Sequence, residues 1–167
     1  MSGKEMKAGI LTISDKGSRN ERIDESGPAV RELLTGIGVA VEEYEIIPDE
    51  RDVIEQKLIS YSDNIKLDII VTTGGTGVSP RDLTPDATLA VIDREIPGFA
   101  EAMRMESFKK TPHALISRAV AGVRGNTLII NLPGSPKGAK ENLAIVLKAI
   151  PHTVSKLQGD PADCAAQ

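Results

Sequence analysis

A chain of 167 residues, 40% hydrophobic and 26% charged, is long enough for one domain with a substantial core. Its net charge of −4, two tyrosines, two phenylalanines and no tryptophan exclude a general nucleic-acid binder, which needs a basic face and aromatic side chains for stacking. One cysteine, Cys164, cannot form an internal disulfide, no apolar run reaches membrane-spanning length, and Met1-Ser2-Gly3-Lys4 has no signal-peptide core, so a cytoplasmic protein with no membrane partner is expected.

In chain order, Ala8–Ile13 reads as a first strand. A helix begins near Ser26-Gly27-Pro28, carries Val30, Leu33, Leu34 and Ile37 on one face, and stops at Gly38. Val39–Ile47 is a second strand, ended by Pro48, and Asp49 is expected to cap a helix bearing Val53, Ile54, Leu58 and Ile59. Leu67–Val71 is a third strand, followed by Thr72-Thr73-Gly74-Gly75-Thr76-Gly77. Thr84 is expected as the cap of the next helix, with Pro85 at its first position and Leu89, Val91 and Ile92 beyond. Pro97-Gly98 interrupts, and Phe99, Met103 and Phe108 mark a further helix. Val120–Val123 and Leu128–Ile130 flank Arg124-Gly125-Asn126 as a hairpin. The strand Leu128–Leu132 runs into Pro133-Gly134-Ser135-Pro136, and Leu143, Val146, Leu147 and Ile150 form one last amphipathic helix. This alternation predicts an α/β fold, a mostly parallel sheet between helical layers, with the hairpin adding one antiparallel strand at an edge. A single domain over residues 1–159 and a disordered tail over 160–167 are expected.

The glycine loop is the most informative stretch. Glycines let backbone N–H groups converge on an anion, threonine hydroxyls add donors, and ligands of open α/β sheets bind beyond the carboxyl ends of strands. It is neither a Walker A loop, since no lysine-serine or lysine-threonine pair follows, nor a dinucleotide fingerprint, since Ser79-Pro80 stands where a third glycine belongs. A plain turn is the alternative, but a turn needs one or two glycines, not this whole run. Asp82 precedes the predicted cap and is free to face the loop, whereas Asp86 lies inside the first helical turn, where the helix dipole alone favours an acid. Asp49 follows a strand at the same sheet edge. A carboxylate about 4 Å from a phosphate charge is repelled by roughly 4 kcal/mol at an effective dielectric of 20. Asp49 and Asp82 beside a polyphosphate therefore require a cation between them, and Mg²⁺ suits two carboxylates plus phosphate oxygens. Ser14-Asp15-Lys16-Gly17 and Gly134-Ser135-Pro136 lie at the same edge and read equally as polar turns or as pocket walls. His113 and His152 lack metal-ligand spacing.

Ile47-Pro48-Asp49, the glycine loop, Arg81-Asp82-Leu83-Thr84-Pro85-Asp86-Ala87-Thr88 and Pro133-Gly134-Ser135-Pro136 together resemble the bacterial MogA/MoaB family, to which the gephyrin G domain also belongs. The resemblance runs from Ile10 to about Leu157. It implies transfer of AMP from ATP to molybdopterin with Mg²⁺, a homotrimer, and hand-over to a molybdenum insertase. Under it, Asp49 and Asp82 match the two essential acids and would contact the metal. Gly74, Gly75, Thr76 and Gly77 match the loop that cradles phosphate, Gly134, Ser135 and Pro136 match a pocket wall, and Ser14 and Asp15 match the first-strand motif. Thr73, Ser79, Arg81 and Asp86 complete the candidate substrate-binding set. A molybdopterin binder without transferase activity and a trimeric scaffold are the competing readings.

Overall fold

The structure, a computed structural model, describes residues 5–162 and 164. Strand β1 (Met6–Ile13) leads through a one-turn helix α1 (Asp15–Ser18) to α2 (Ser26–Gly36), β2 (Val39–Ile47) and α3 (Arg51–Ile59), which continues as a π-helical turn over Ser60–Asn64. Next come β3 (Ile69–Thr73), α4 (Thr84–Val91), a two-residue β4 (Arg94–Glu95) and α5 (Pro97–Phe108). A 3₁₀ turn at Pro112–Ile116 precedes β5 (Ala121–Arg124), β6 (Thr127–Leu132), α6 (Pro136–Val146) and α7 (Ile150–Leu157).

The six strands lie in the order β2-β1-β3-β6-β5-β4. β1 is parallel to β2 and β3, and β3 to β6, whereas β5 is antiparallel to both its neighbours. The antiparallel strand predicted from the hairpin is thus β5, and the short β4 lies outside it as the edge. Both faces of the central strands are apolar because both are covered. Ala8, Ile10, Ile69, Val71, Leu128 and Ile130 pack with residues of α2, α5, α6 and α7, while Leu11, Ile13, Ile70 and Ile129 pack with residues of α3 and α4. Each such fully buried Leu or Ile contributes about 1.5–3 kcal/mol.

Several predicted boundaries move, each for a visible reason. Asp49 is not the cap of α3: Glu50 holds that position without a side-chain bond, and the Asp49 carboxylate accepts the Asp15 N–H at 2.8 Å instead. Leu83, not Thr84, precedes α4, because the Thr84 hydroxyl donates to the Gly74 carbonyl at 2.8 Å. Leu67 and Asp68 precede β3; the Asp68 carboxylate accepts the Lys7 N–H at 2.9 Å and the Gln158 amide at 2.8 Å. The single last helix is two, separated by a 3₁₀ turn at Leu147–Ala149 just before Pro151, which has no N–H to continue the ladder. Leu89 and Phe108, expected on apolar helix faces, are exposed. In the segment expected to be a disordered tail, the Asp160 carboxylate accepts from the Ser155 hydroxyl and the Ala162 N–H; residues 163 and 165–167 lie outside the described residues.

Candidate active site

The chain leaves β1 for β2 on one side and later returns to β3 on the other, so the loops after β1 and β3 diverge and leave a crevice between them. A cavity of about 730 Å³ opens there. Of the residues singled out from sequence, Ser14, Asp49, Thr73, Gly74, Gly75, Gly134, Ser135 and Pro136 line it. Asp15, Thr76, Gly77, Ser79, Arg81, Asp82 and Asp86 do not: Asp15 opens α1, Asp86 lies in the first turn of α4, and the other five form the outer limb of the glycine loop and the segment joining it to α4.

The loop backbone explains its glycines. Gly74 has φ +97°, and a Cβ there would stand 2.3 Å from the Ile13 carbonyl oxygen, a backbone atom that cannot give way. Gly75 has φ +67°, and a Cβ would meet the Thr84 hydroxyl at 2.4 Å and Asp49 Oδ1 at 3.3 Å. The Gly74 N–H is spent on the Leu132 carbonyl at 3.0 Å. Among the described residues the N–H groups of Gly75, Thr76 and Gly77 donate to no protein acceptor. Two helix N-termini border the same space: α2 through Glu25 and Ser26, and α6 through Ser135 and Pro136. Unpaired N–H groups and aligned helix dipoles favour an anion. Arg22 adds a cationic side chain on the cavity wall and makes no ion pair among the described residues.

The two principal acids flank this loop from opposite ends. Asp49 Oδ2 accepts from Asp15, and Oδ1 is left facing Gly75. Burial, followed by the charges of Asp15 and Asp82, raises the Asp49 carboxyl above its usual range despite the Asp15 N–H and the Arg81 charge. Asp82 Oδ2 accepts the Ser79 N–H at 2.9 Å and would lie 2.8 Å from a Cβ on Gly77. Among the described residues no group of three acids, histidines or cysteines is arranged for a metal. Two carboxylates that repel each other, each with an oxygen not bonded to protein, do fit a hard cation that draws its remaining ligands from water and phosphate oxygens.

Arg81 is committed to protein carboxylates. It donates to Asp15 at 2.7 and 3.1 Å, to Glu50 at 2.7 Å and to the Asp49 carbonyl at 3.1 Å. Its guanidinium holds the Asp15 carboxyl below the usual range. Ser14 and Ser135 act as helix caps, their hydroxyls accepting from Gly17 and Gly138, each at 3.0 Å. Asp86 does not line the cavity and pairs with Arg118 at 3.0 and 3.3 Å.

Three further side chains at or beside the candidate site were not singled out from the sequence. Arg22 and Arg118 carry no local signal. Asp24 accepts from Thr12 at 2.6 Å, from Ser26 N–H at 3.0 Å and from the Tyr44 hydroxyl, joining β1, β2 and the start of α2 beneath the cavity. Burial and Asp24 push the Tyr44 hydroxyl up to about 12. An acid two residues before Ser26 was the available sign, since that spacing suits a carboxylate capping the helix entry.

An open α/β sheet with an anion-receptive glycine loop, two carboxylates and a cavity at its switch point is a phosphate-ligand binding domain. Residues 9–152 match the family model described as "Probable molybdopterin binding domain". The chain is 47% identical to the molybdopterin adenylyltransferase of Helicobacter pylori strain J99, over 91% of this chain and 88% of that one. It is 40% identical to the Escherichia coli K12 molybdopterin adenylyltransferase over 97% of this chain and 90% of that one. The crystal structure of the molybdopterin biosynthesis enzyme MoaB from Thermus thermophilus superposes with a TM-score of 0.88 at 52% identity, covering 95% of this chain and 99% of that one. The chain belongs to the MogA/MoaB family of molybdenum cofactor biosynthesis proteins.

Proposed function

We propose that this protein is a molybdopterin adenylyltransferase, joining AMP from ATP to the terminal phosphate of molybdopterin and releasing pyrophosphate. The observation that carries it is the loop Gly74–Gly77, which enters the cavity at Gly74 and Gly75, has Asp49 near Gly75 and Asp82 near Gly77, and leaves the N–H groups of Gly75, Thr76 and Gly77 unengaged among the described residues. The relatives named molybdopterin adenylyltransferase, each covered nearly end to end, support the same reading.

The chemistry follows from the groups present. The attacking atom is an oxygen of the molybdopterin phosphate; a phosphate monoester has its second pKa near 6, so it is already ionised at neutral pH. A new bond forms to the α-phosphorus of ATP, the bond to the β-phosphate bridging oxygen breaks, and pyrophosphate carries away the electron pair. No protein base is required, in keeping with a cavity lined by neither histidine nor cysteine. The chain positions the reactants and neutralises charge through loop N–H groups, the α2 and α6 N-termini and Arg22. Asp49 and Asp82 would hold Mg²⁺, which when bound offsets charge on the transferring phosphates. Ser14, Thr73, Ser135 and Pro136 shape the wall against which a substrate rests, while Asp15 and Arg81 act by fixing Asp49 and Glu50.

The same proposal includes one domain over residues 1–159, a cytoplasmic location, a homotrimer and delivery of product to a molybdenum insertase. Among the described residues no helix is long and apolar enough to cross a membrane. The exposed Met105, Phe108, Leu115 and Ile116, on α5 and the turn packed against it, supply apolar surface for association.

Incubating the protein with molybdopterin, ATP and Mg²⁺ should yield the adenylylated pterin by mass spectrometry, with stoichiometric pyrophosphate. Asp82→Asn should abolish Mg²⁺-dependent pyrophosphate release while molybdopterin still binds. Binding without product in the unaltered protein would instead establish a non-catalytic molybdopterin carrier.

A further inference from the structure

Arg118 lies between the 3₁₀ turn Pro112–Ile116 and β5, outside the cavity and far in sequence from the glycine loop. Its backbone N–H donates to the Thr76 carbonyl at 2.8 Å, and its Nε to the Gly77 carbonyl at 2.8 Å. Nη2 donates to the Asp82 carbonyl, and Nη1 and Nη2 together grip the Asp86 carboxylate at 3.3 and 3.0 Å. One planar guanidinium therefore reaches three points: Gly77, the backbone of Asp82, and the first turn of α4.

The limb is otherwise tied through the Arg81 side chain, which bonds Asp15, Glu50 and the Asp49 carbonyl, and through one local turn. Ser79 N–H bonds to Asp82 Oδ2, Asp82 N–H bonds to the Ser79 carbonyl at 2.9 Å, and Val78 is largely exposed. The inner limb is secured differently, from below. Thr84 holds the Gly74 carbonyl, Thr88 holds the Thr84 carbonyl at 2.8 Å, and Asn131 donates to Thr72 and Thr88 at 3.1 and 3.0 Å. Among the described residues, Arg118 alone bonds from outside the segment to the backbone of residues 77–82.

We propose that Arg118 is a positioning residue for adenylyl transfer: its guanidinium sets the distance between Asp82 and the anion-receptive N–H groups, and Asp86 serves to orient Arg118 rather than to touch a substrate. The proposal rests on the transferase reading for its kinetic consequence, though not for its structural one. The geometry calls for arginine specifically. Lysine would keep the charge beside Asp86 but has no planar fork to reach the Gly77 and Asp82 carbonyls at once. A sub-ångström drift of a group that acts mainly in the transition state lowers kcat more than it weakens ground-state binding.

The test compares the full-length protein with Arg118→Gln, Arg118→Lys and Asp86→Asn. Two readouts are taken: steady-state kinetics with molybdopterin, ATP and Mg²⁺, and hydrogen exchange at the Ser79 and Asp82 amides. Arg118→Gln should lose roughly a hundredfold in kcat with KM for molybdopterin changed by less than about threefold, the split expected when positioning rather than binding is lost. Exchange at Ser79 and Asp82 should quicken. Arg118→Lys should recover little of the rate, and Asp86→Asn should lose less, because the carbonyl bonds persist. Wild-type kcat in Arg118→Gln, or full recovery in Arg118→Lys, overturns the proposal and leaves the transferase reading standing. If the unaltered protein makes no product, that reading fails, and exchange alone decides: unchanged protection in Arg118→Gln overturns the positioning role, faster exchange sustains it. Should Arg118→Gln not fold, Arg118→Lys and Asp86→Asn carry both readouts.

Discussion

Asp15 and Asp49 hold each other by exchanging hydrogen bonds: the Asp15 N–H donates to the Asp49 carboxylate at 2.8 Å, and the Asp49 N–H donates to the Asp15 carboxylate at 3.0 Å. The exchange ties the ends of β1 and β2 together just past their last paired residues, Ile13 and Ile47. It also turns Asp49 so that its second oxygen faces the glycine loop. Asp15 is thus a support for Asp49 and, through Arg81, for Glu50.

Asp15→Ala should therefore leave the Asp49 N–H and the Arg81 guanidinium short of an acceptor, with a stability loss of about 1–2 kcal/mol by urea denaturation. The pH dependence has a definite sign. Arg81 holds the folded-state pKa of Asp15 below the ordinary 3.8, so the contribution is present above that value and is lost as pH falls through the depressed one. The gap between wild type and variant should stay constant from neutral pH to about pH 5 and close only in stronger acid; a gap that closes by pH 6 would contradict the Arg81 pairing.

Asp49 behaves in the opposite sense. Its folded pKa is raised, chiefly by burial, so its contribution to stability is present at low pH and is lost as pH rises through the folded value. At neutral pH the charged carboxylate is a strain on the fold. Asp49→Asn keeps an oxygen for the Asp15 N–H and removes that charge. The variant should melt at or above the wild-type temperature at neutral pH, with the difference shrinking on acidification, while transferase turnover disappears. A clear fall in melting temperature at pH 7 would show that the carboxylate is not under electrostatic stress.

Gly74→Ala should be among the most damaging alanine substitutions in the loop. A Cβ at this position meets the Ile13 carbonyl at 2.3 Å with φ at +97°, and the oxygen belongs to β1, which is pinned on both sides. A loss of at least 2–3 kcal/mol, roughly, is expected from the left-handed backbone and the clash together. Gly98→Ala, in α5 where a Cβ meets open space, should be neutral or stabilising by up to about 1 kcal/mol. Equal melting shifts for the two would remove the steric account of the glycine.

Asn131 is fully buried and completes both the Thr72 and Thr88 hydroxyls, and its Oδ1 accepts the Val120 N–H at 3.2 Å. Asn131→Leu conserves most of the volume but strands those groups, so a loss of about 2–4 kcal/mol is expected in calorimetry or chemical denaturation. Since the same network supports Thr84 beneath Gly74, turnover should fall further than stability alone explains.

What local sequence determined here was the order of elements and the rim at which the candidate site residues gather. Helical and strand periodicities act over a few residues, and parallel strands bring their carboxyl ends to one edge whatever the order of strands. Asp49, Gly74–Gly77, Asp82 and Gly134–Pro136, which follow β2, β3 and β6, therefore fall at one edge of the sheet. Side-chain partnership was not legible in the same way. Arg118 meets Asp82 across 36 residues and Gly77 across 41, Ser26 reaches Gly134 across 108, and no short-range pattern encodes such distances. The strand order and the stacking of helices on the sheet decided those meetings. They drew Asp86 to Arg118 and Arg81 to Asp15 and Glu50, and they turned Asp49 from a helix cap into a wall of the cavity, because each buried or half-buried polar group takes the partner that packing leaves within reach.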